Sequence, residues 1–481
     1  MHELTGNQQA VLEVLRQTIF HLGKDSSPAK KIGMDRLGIT NDSQWTMKRD
    51  TTLDMLERAY RREQDEYERK SHTRVGGKPV RATSFSGVAA PSESAAKDWY
   101  MPRDRTIAVF QAAMDEYIDQ KLESSPQAKK TKEEKTSPKN IRGRLSISAS
   151  TPIPDKVKPD INLFFKARRS PTHGAAFAGF EKYDNLDPRW ISVVWEKAKS
   201  LLRGKAKFIK HKKKTDFRFK IVDKPSVTIA LVSDWGGGNN ASRAVAAQIK
   251  ACQPDHVIHL GDVYYAGTEH EINNRFLNLW DFWSEPATPG RSFALNANHE
   301  MYGGGHGYFK TTLKALKQPA SYFSLSNNYW RFIGLDTGYV DHDLNAEQLE
   351  WLGEQLQGSA KTFLLSHHQP FSAFTDGDPG AKLRTRVQPF FDKISGWFWG
   401  HEHLCIAYGK HLGINGRCIG HGCIPYEIPT PSNDTPVTWI DKRKQPNGRG
   451  MHGFALLTLN DANMKVEYID QNGAIAYTES F

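Results

Sequence analysis

Five short segments carry residues able to do chemistry: Ser233-Asp234-Trp235-Gly236, Gly261-Asp262-Val263-Tyr264-Tyr265, Asn298-His299-Glu300, His367-His368-Gln369-Pro370 and Gly400-His401-Glu402-His403. Between them they offer aspartates, a tyrosine, an asparagine and several histidines, the oxygen-and-imidazole donor set of a two-metal hydrolytic site. Thiolate is absent from all five. That disfavours a structural zinc knuckle and leaves Zn, Mn or Fe as the metals these donors suit.

The elements that must position them are legible as well. Each segment follows an apolar, β-rich run, at 227–232, 256–260, 293–297, 363–365 and 397–399. Such runs read as buried strands. Strands that stop at polar residues place those residues in loops along one rim of a sheet, where open α/β sheets bind ligands.

Taken in order, the segments resemble the calcineurin-like metallophosphoesterases, and within that superfamily the purple acid phosphatases. The superfamily's first motif is Asp-x-His; here it reads Asp234-Trp235-Gly236, and Tyr265 stands three residues after Asp262, which is the purple acid phosphatase variation. Tyr322-Phe323-Ser324, the run 332–337 and the Gln-x-x-Trp-Leu pattern from Gln348 agree with it. The resemblance covers about residues 225–480. It implies an α/β fold of the four-layer α-β-β-α sandwich type, here with an N-terminal helical extension. Carried over by position, it implies that Asp234, Asp262, Tyr265 and His403 hold one metal and that Asp262, Asn298, His368 and His401 hold the second. His368 is preferred to His367 because it precedes Pro370 by two residues, which leaves His367 as a neighbour of the ligands. His299 becomes the acid that protonates the leaving alkoxide. The implied activity is hydrolysis of phosphate esters by metal-activated hydroxide. A phenolate at Tyr265 suits a hard trivalent ion, so the expected cofactor is two metal ions, Fe with Zn, Mn or Fe. Ala297 precedes Asn298 where the family usually carries Gly, which makes that turn less free.

Other histidines carry less. His306, in a glycine-rich loop, and His421, after the next apolar run, are candidates to touch substrate; His211, His259, His342 and His452 belong to no constellation and read as ordinary. The substrate itself is not decodable, and monoester and diester both remain open. So do two alternatives: a nuclease or nucleotide phosphodiesterase that uses a basic extension, and a non-enzymatic scaffold binding nucleic acid or protein.

Charge divides the chain sharply. Residues 1–220 hold 44 Lys and Arg against 28 Asp and Glu, whereas 221–481 hold 21 against 26, so the basic half is not the catalytic half. Residues 1–123 read as a helical region, with helix-like spacing at 8–22, 51–70 and 105–122. Residues 124–160 are rich in Ser, Pro, Lys and Glu and read as a linker. Residues 161–220 form a basic connecting segment, and 221–481 the catalytic domain. The stretch 203–220, with nine Lys or Arg and one Asp, attracts nucleic acid or another polyanion if it lies beside the cleft, and is otherwise a solvated connector. No basic leader with an apolar core opens the chain and no apolar run approaches a membrane span. The four cysteines are sparse and make no Cys-x-x-Cys pair, so the expectation is reduced thiols and a cytoplasmic location. Oligomeric state leaves no trace in the sequence.

Overall fold

The computed structural model describes residues 12, 15–16, 18–19, 42–73, 104–123, 198, 204–280, 289–375 and 377–481. It divides into two compact units, residues 1–202 and 203–481. The expected linker at 124–160 and nearly all of 161–203 lie outside the described residues, as does most of the expected helix at 8–22.

In the first unit two helices match the expected ones, α1 (Asp42–Thr73), which starts earlier than its periodic pattern, and α2 (Arg105–Glu123). Asp104 caps α2, accepting from Thr106 N at 2.8 Å, and its other carboxylate oxygen takes the Arg62 Nε of α1 at 2.8 Å. A carboxylate at this place satisfies a backbone N–H that the helix cannot.

The second unit is built from strands β1 (Arg218–Lys220), β2 (Val227–Val232), β3 (His256–His259), β4 (Ser292–Ala294), β5 (Phe323–Ser326), β6 (Trp330–Gly334), β7 (Lys361–Leu365), β8 (Gly396–Trp399), β9 (Cys405–His411), β10 (Ile414–Ile419), β11 (Val437–Ile440), β12 (Gly453–Asn460), β13 (Asn463–Asp470) and β14 (Ile475–Ser480). They form an eight-stranded sheet ordered β1-β5-β6-β7-β8-β10-β9-β11 and a six-stranded sheet ordered β14-β13-β12-β2-β3-β4. Alternation along the strands divides their side chains between layers. Ile229 and Leu231 of β2 join Phe363 and Leu365 of β7 in one buried core between the sheets. Ala230 and Val232 of β2 instead face a core shared with Val245 and Ile249 of α3 (Asn240–Cys252). Leu364 faces the opposite outer layer, with Trp351 and Leu352 of α5 (Ala346–Gln355) and Leu383 of α6 (Ala381–Val387); α4 is the short helix Asn298–Tyr302. A period of two along a doubly buried strand yields this arrangement. The order helix, sheet, sheet, helix is the expected four-layer sandwich.

Parallel pairing decides where the chemistry goes. β2, β3 and β4 run parallel in one sheet, and β6, β7, β8 and β10 run parallel in the other. Their C-terminal ends therefore gather each sheet's candidate residues at one rim. All four cysteines are free. No helix among the described residues is long and apolar enough to cross a membrane.

The basic stretch has more structure than its composition suggests. Residues 204–220 belong to the second unit. Phe208 is buried and stacks on Tyr322 at 5.5 Å between centroids, and Tyr339 closes over it at 5.0 Å. Lys210 pairs with Glu347 and Lys214 with Glu354, both on α5, and Arg218 Nε donates to Gln355 Oε1 at 2.6 Å. Part of the charge that read as a polyanion site is thus already partnered.

Candidate metal centre

Asp234, Asp262 and Asn298 follow β2, β3 and β4; His367 and His368 follow β7; His401 and His403 follow β8. Backbone contacts lock these loops together. Asp234 N donates to Gly261 O at 3.0 Å, Gly236 N to Asp262 O at 3.2 Å and Gly400 N to His367 O at 3.0 Å. Gly400 is required by packing, since a Cβ there would overlap Ser233 Oγ and stand 2.5 Å from Asp234 Oδ2. Asp234, Asp262, His401 and His403 all hold positive φ, at 55°, 76°, 67° and 52°. Non-glycine residues seldom adopt that conformation, and it concentrates at functional sites. Ala297 is extended, with φ −135° and ψ 179°. Its Cβ costs the turn nothing, so the feared loss of freedom does not arise.

The donor atoms converge in groups. Asp234, Asp262 and His403 present atoms within 4.8 Å of one another, and so do Asp262, His367 and His401. Asp262 belongs to both. Its carboxylate accepts from His299 N at 3.2 Å and lies 3.3 Å from His367 Nε2. Neither Asp234 nor Asp262 has an Arg or Lys partner among the described residues, although both are completely buried. Burial opposes ionisation of Asp234, but the His403 contact and the charge of His367 hold its pKa below the usual carboxylate range. Burial likewise opposes ionisation of Asp262; His367 and His299 prevail and hold it well below. The same attraction, working against burial, lifts His367 to about 9. Buried paired carboxylates call for positive charge. Asn298 stands beside His299 in the chain: its Nδ2 is pinned to Tyr302 Oη at 3.2 Å, and its Oδ1 is buried without a hydrogen-bond partner. An amide oxygen held in this way, beside carboxylates and imidazoles, fits a cation.

At two positions a sequence neighbour of the expected ligand reaches the cluster. Tyr264, rather than Tyr265, brings its hydroxyl to the cluster, 2.9 Å from Asp234 Oδ1, 3.0 Å from Asp262 Oδ2 and 3.3 Å from His403 Nε2. The backbone at Tyr265 is clamped. The buried Glu271 carboxylate takes Tyr265 N and Ala266 N, Arg275 donates to Tyr264 O at 2.7 Å, and the Arg275 guanidinium lies 4.9 Å from the centre of the Tyr265 ring. Similarly His367, rather than His368, faces Asp262, its Nδ1 fixed 3.1 Å from Leu260 O and its Nε2 3.2 Å from His401 Nδ1. His368 is turned by Thr337, whose Oγ1 lies 2.9 Å from its Nδ1, and its Nε2 points away from Asp262 toward Asp341 at 4.0 Å.

His299 sits beside Asp262. Its Nδ1 is 2.6 Å from Tyr265 O, its Nε2 is 3.9 Å from Asp262 Oδ2, and its ring packs between Tyr264 and Tyr302. Burial lowers its pKa. His306 binds elsewhere, its Nε2 2.8 Å from Gly204 O, so it fastens the 204–220 segment. His421 is buried against Gly453 of β12 and does not open onto solvent.

Sequence reasoning missed three carboxylates that hold the loops and one histidine. Glu300 takes Asp262 N and Val263 N at 3.2 and 3.0 Å, Glu271 clamps the tyrosine turn, and Glu402 accepts from Trp399 Nε1 at 2.8 Å and from Ser372. Glu300 and Glu402 stand inside the recognised segments, which was the available signal. His342 was set aside, yet it joins His368 and His401 in a third donor group.

Residues 227–405 match the calcineurin-like phosphoesterase family. The chain is 24% identical over 298 residues to tartrate-resistant acid phosphatase type 5 of Sus scrofa, covering 52% of this chain and 85% of that one. Similar solved structures include GAP50, the anchor in the inner membrane complex of Plasmodium (TM-score 0.42, 11% identity, 53% of this chain and 88% of that chain). Another is a dimetal phosphatase from Danio rerio (TM-score 0.36, 13% identity, 53% of this chain and 99% of that chain). Residues 227–405 thus carry a calcineurin-like phosphoesterase domain, and the chain is a phosphoric ester hydrolase.

Proposed function

We propose that the cluster would hold two cations and that it is where phosphate esters are hydrolysed. In this reading Asp234, Asp262, His403 and the Tyr264 oxygen take one ion, and Asp262, Asn298, His367 and His401 take the other. His367 thus stands where resemblance implied His368, and Tyr264 where it implied Tyr265. The observation that carries the reading is Asp262, a buried carboxylate common to two donor groups. Two such ions supply Lewis acidity to the phosphoryl oxygens and a nucleophile near neutral pH.

The chain's own residues do the rest. Glu300 fixes the Asp262 backbone, while His299, anchored through Nδ1 on Tyr265 O, presents Nε2 to the cluster. A proton on that Nε2 is the one handed to the leaving alkoxide. Four of the proposed ligands hold positive φ, a strained backbone that supports a functional role for them.

The test is hydrolysis of an aryl phosphate monoester and the matching diester by full-length protein, chelated and then reloaded with Fe, Mn or Zn. Turnover that returns with metal supports the reading, and the ratio of the two rates assigns the ester class. Two bound ions with no turnover of either ester would refute it.

A further inference from the structure

The segment that leads into β1 is built into the rim beside the candidate centre. His306, in the loop after α4, places its Nε2 2.8 Å from Gly204 O, and Ala206 N donates to Gly304 O at 2.7 Å. From the loop that follows β6, Tyr339 Oη donates to Ala206 O at 3.0 Å. Residues 204–206 therefore strap together two loops that both run from the cluster. The first continues from Asn298 and His299. The second carries Thr337, which fixes His368, and His342, whose ring centre is 5.2 Å from that of His401. Lys205 stands in the strap with an exposed side chain. Its ammonium is held by neutral groups, since Nζ donates to Tyr339 O at 2.7 Å and stands 5.3 Å from the centre of the Tyr339 ring. Lys210 and Lys214 pair with glutamates, but no carboxylate among the described residues pairs with Lys205. A carbonyl and an aromatic face orient a cation without cancelling its charge. One N–H is spent on the carbonyl, and an ammonium has three. The nearby carboxylate is Asp341, whose Oδ1 is engaged by His342 Nδ1 at 2.9 Å. That contact, and beyond it the charges of His401 and Lys205, hold the Asp341 carboxyl below its usual range, so one carboxylate feels both the cluster and this lysine.

We propose that Lys205 is a specificity residue, binding a second phosphate group of the substrate while the scissile phosphate occupies the cluster. The inference rests on the two-cation reading and adds to it a substrate class, a phosphate ester that carries a further phosphate, as a nucleoside diphosphate does. Cations act on the phosphoryl group they hold and are indifferent to what is attached to it, so discrimination has to come from fixed groups around them. A lysine ammonium meets phosphate as a point charge with several donors. The strap also divides the basic run by role. Lys210 and Lys214 tie it to α5, and Lys205 keeps its charge for a ligand at the rim.

The test is competition by AMP and by ADP against hydrolysis of an aryl phosphate monoester, in manganese-loaded full-length protein whose bound metal is counted in every variant. In the wild type ADP is expected to compete about tenfold better than AMP, the scale of one hydrogen bond between charged groups. Lys205→Ala should bring ADP to the level of AMP while leaving the aryl phosphate KM, inhibition by AMP and the metal count as in the wild type. Lys205→Arg, which keeps the charge, should retain the preference for ADP, and so should Lys212→Ala, which removes a charge elsewhere on the segment. Equal competition by AMP and ADP in the wild type, or a preference for ADP that survives in Lys205→Ala, overturns the proposal and leaves the two-cation reading standing. Equal loss in Lys212→Ala overturns it by showing diffuse attraction. A Lys205→Ala variant that weakens the aryl ester, AMP and ADP alike overturns it too, by making Lys205 a support of the loops. Metal-loaded wild type that hydrolyses no aryl phosphate overturns the two-cation reading, and the proposal with it.

Discussion

Replacing Tyr264 and Tyr265 in turn by Phe separates the geometric account from one based on motif spacing. The Tyr264 hydroxyl faces two carboxylates at 2.9 and 3.0 Å, but it carries one proton and can donate to only one at a time. Burial, and then the charges of Asp234 and Asp262, push its pKa well above the usual phenol range, so in the metal-free chain it is a neutral donor. Tyr264→Phe keeps the buried ring against His299 and removes one hydrogen bond to a charged acceptor, worth about 2 kcal/mol. If the oxygen contributes similarly to holding the first ion, affinity falls roughly 30-fold, at 1.4 kcal/mol per factor of ten. In Tyr265→Phe the ring keeps its place by the Arg275 guanidinium and Glu271 still holds the backbone, so affinity should change less than about threefold. Titration of chelated protein with zinc or manganese against a competing chelator measures both variants, with circular dichroism checking the fold. Loss of affinity in Tyr265→Phe, with Tyr264→Phe near wild type, would refute the placement and restore the motif reading.

Three further outcomes follow from particular contacts. Gly400→Ala drives a methyl into Ser233 Oγ and toward Asp234 Oδ2; it should lower kcat/KM at least tenfold and metal affinity with it, and a near-wild-type enzyme would contradict the close approach of the two sheet rims. Phe208→Ala empties a buried aromatic site against Tyr322 and Tyr339; a loss of ~3 kcal/mol in denaturant unfolding is expected, and no loss would show that residues 204–208 do not pack there. His256 is buried and neutral, accepting Val222 N–H at Nε2 and donating from Nδ1 to Gly290 O, and burial lowers its pKa to about 4. Because the folded pKa is depressed below the unfolded value of about 6.5, the stabilisation is present above pH 6.5 and lost as pH falls toward 4, up to about 3 kcal/mol; a His256→Gln variant should lose this part of the acid sensitivity, and an unchanged pH profile would argue against it.

The strands and their polar ends were legible because a doubly buried strand needs a continuous apolar run, and the five runs stand out in sequence. Asp234, Asp262, Asn298, His401 and His403 were singled out that way, each shortly beyond such a run. Choosing between neighbours was not possible at the same level. Tyr264 and Tyr265 are both aromatic and both buried, and what orients them is the Glu271 carboxylate on a following turn, which no local spacing announces. His367 and His368 differ only in which side of the chain they face, set by Leu260 O for one and Thr337 Oγ1 for the other. His342 lies in a turn with no apolar run ending beside it, so its meeting with His368 and His401 is purely tertiary. Composition read the charge of 203–220 correctly but not its partners, because the glutamates that meet Lys210 and Lys214 lie more than a hundred residues away on α5.

The most direct test of the central claim follows bound metal and phosphate-ester turnover together, in wild type and in Asp262→Asn, as zinc or manganese is added to chelated full-length protein. The account predicts that hydrolysis in the wild type appears as the two groups sharing Asp262 fill, and that Asp262→Asn, still folded, loses both the ions and the turnover. Hydrolysis that survives in Asp262→Asn, or that proceeds in fully chelated protein, would contradict it.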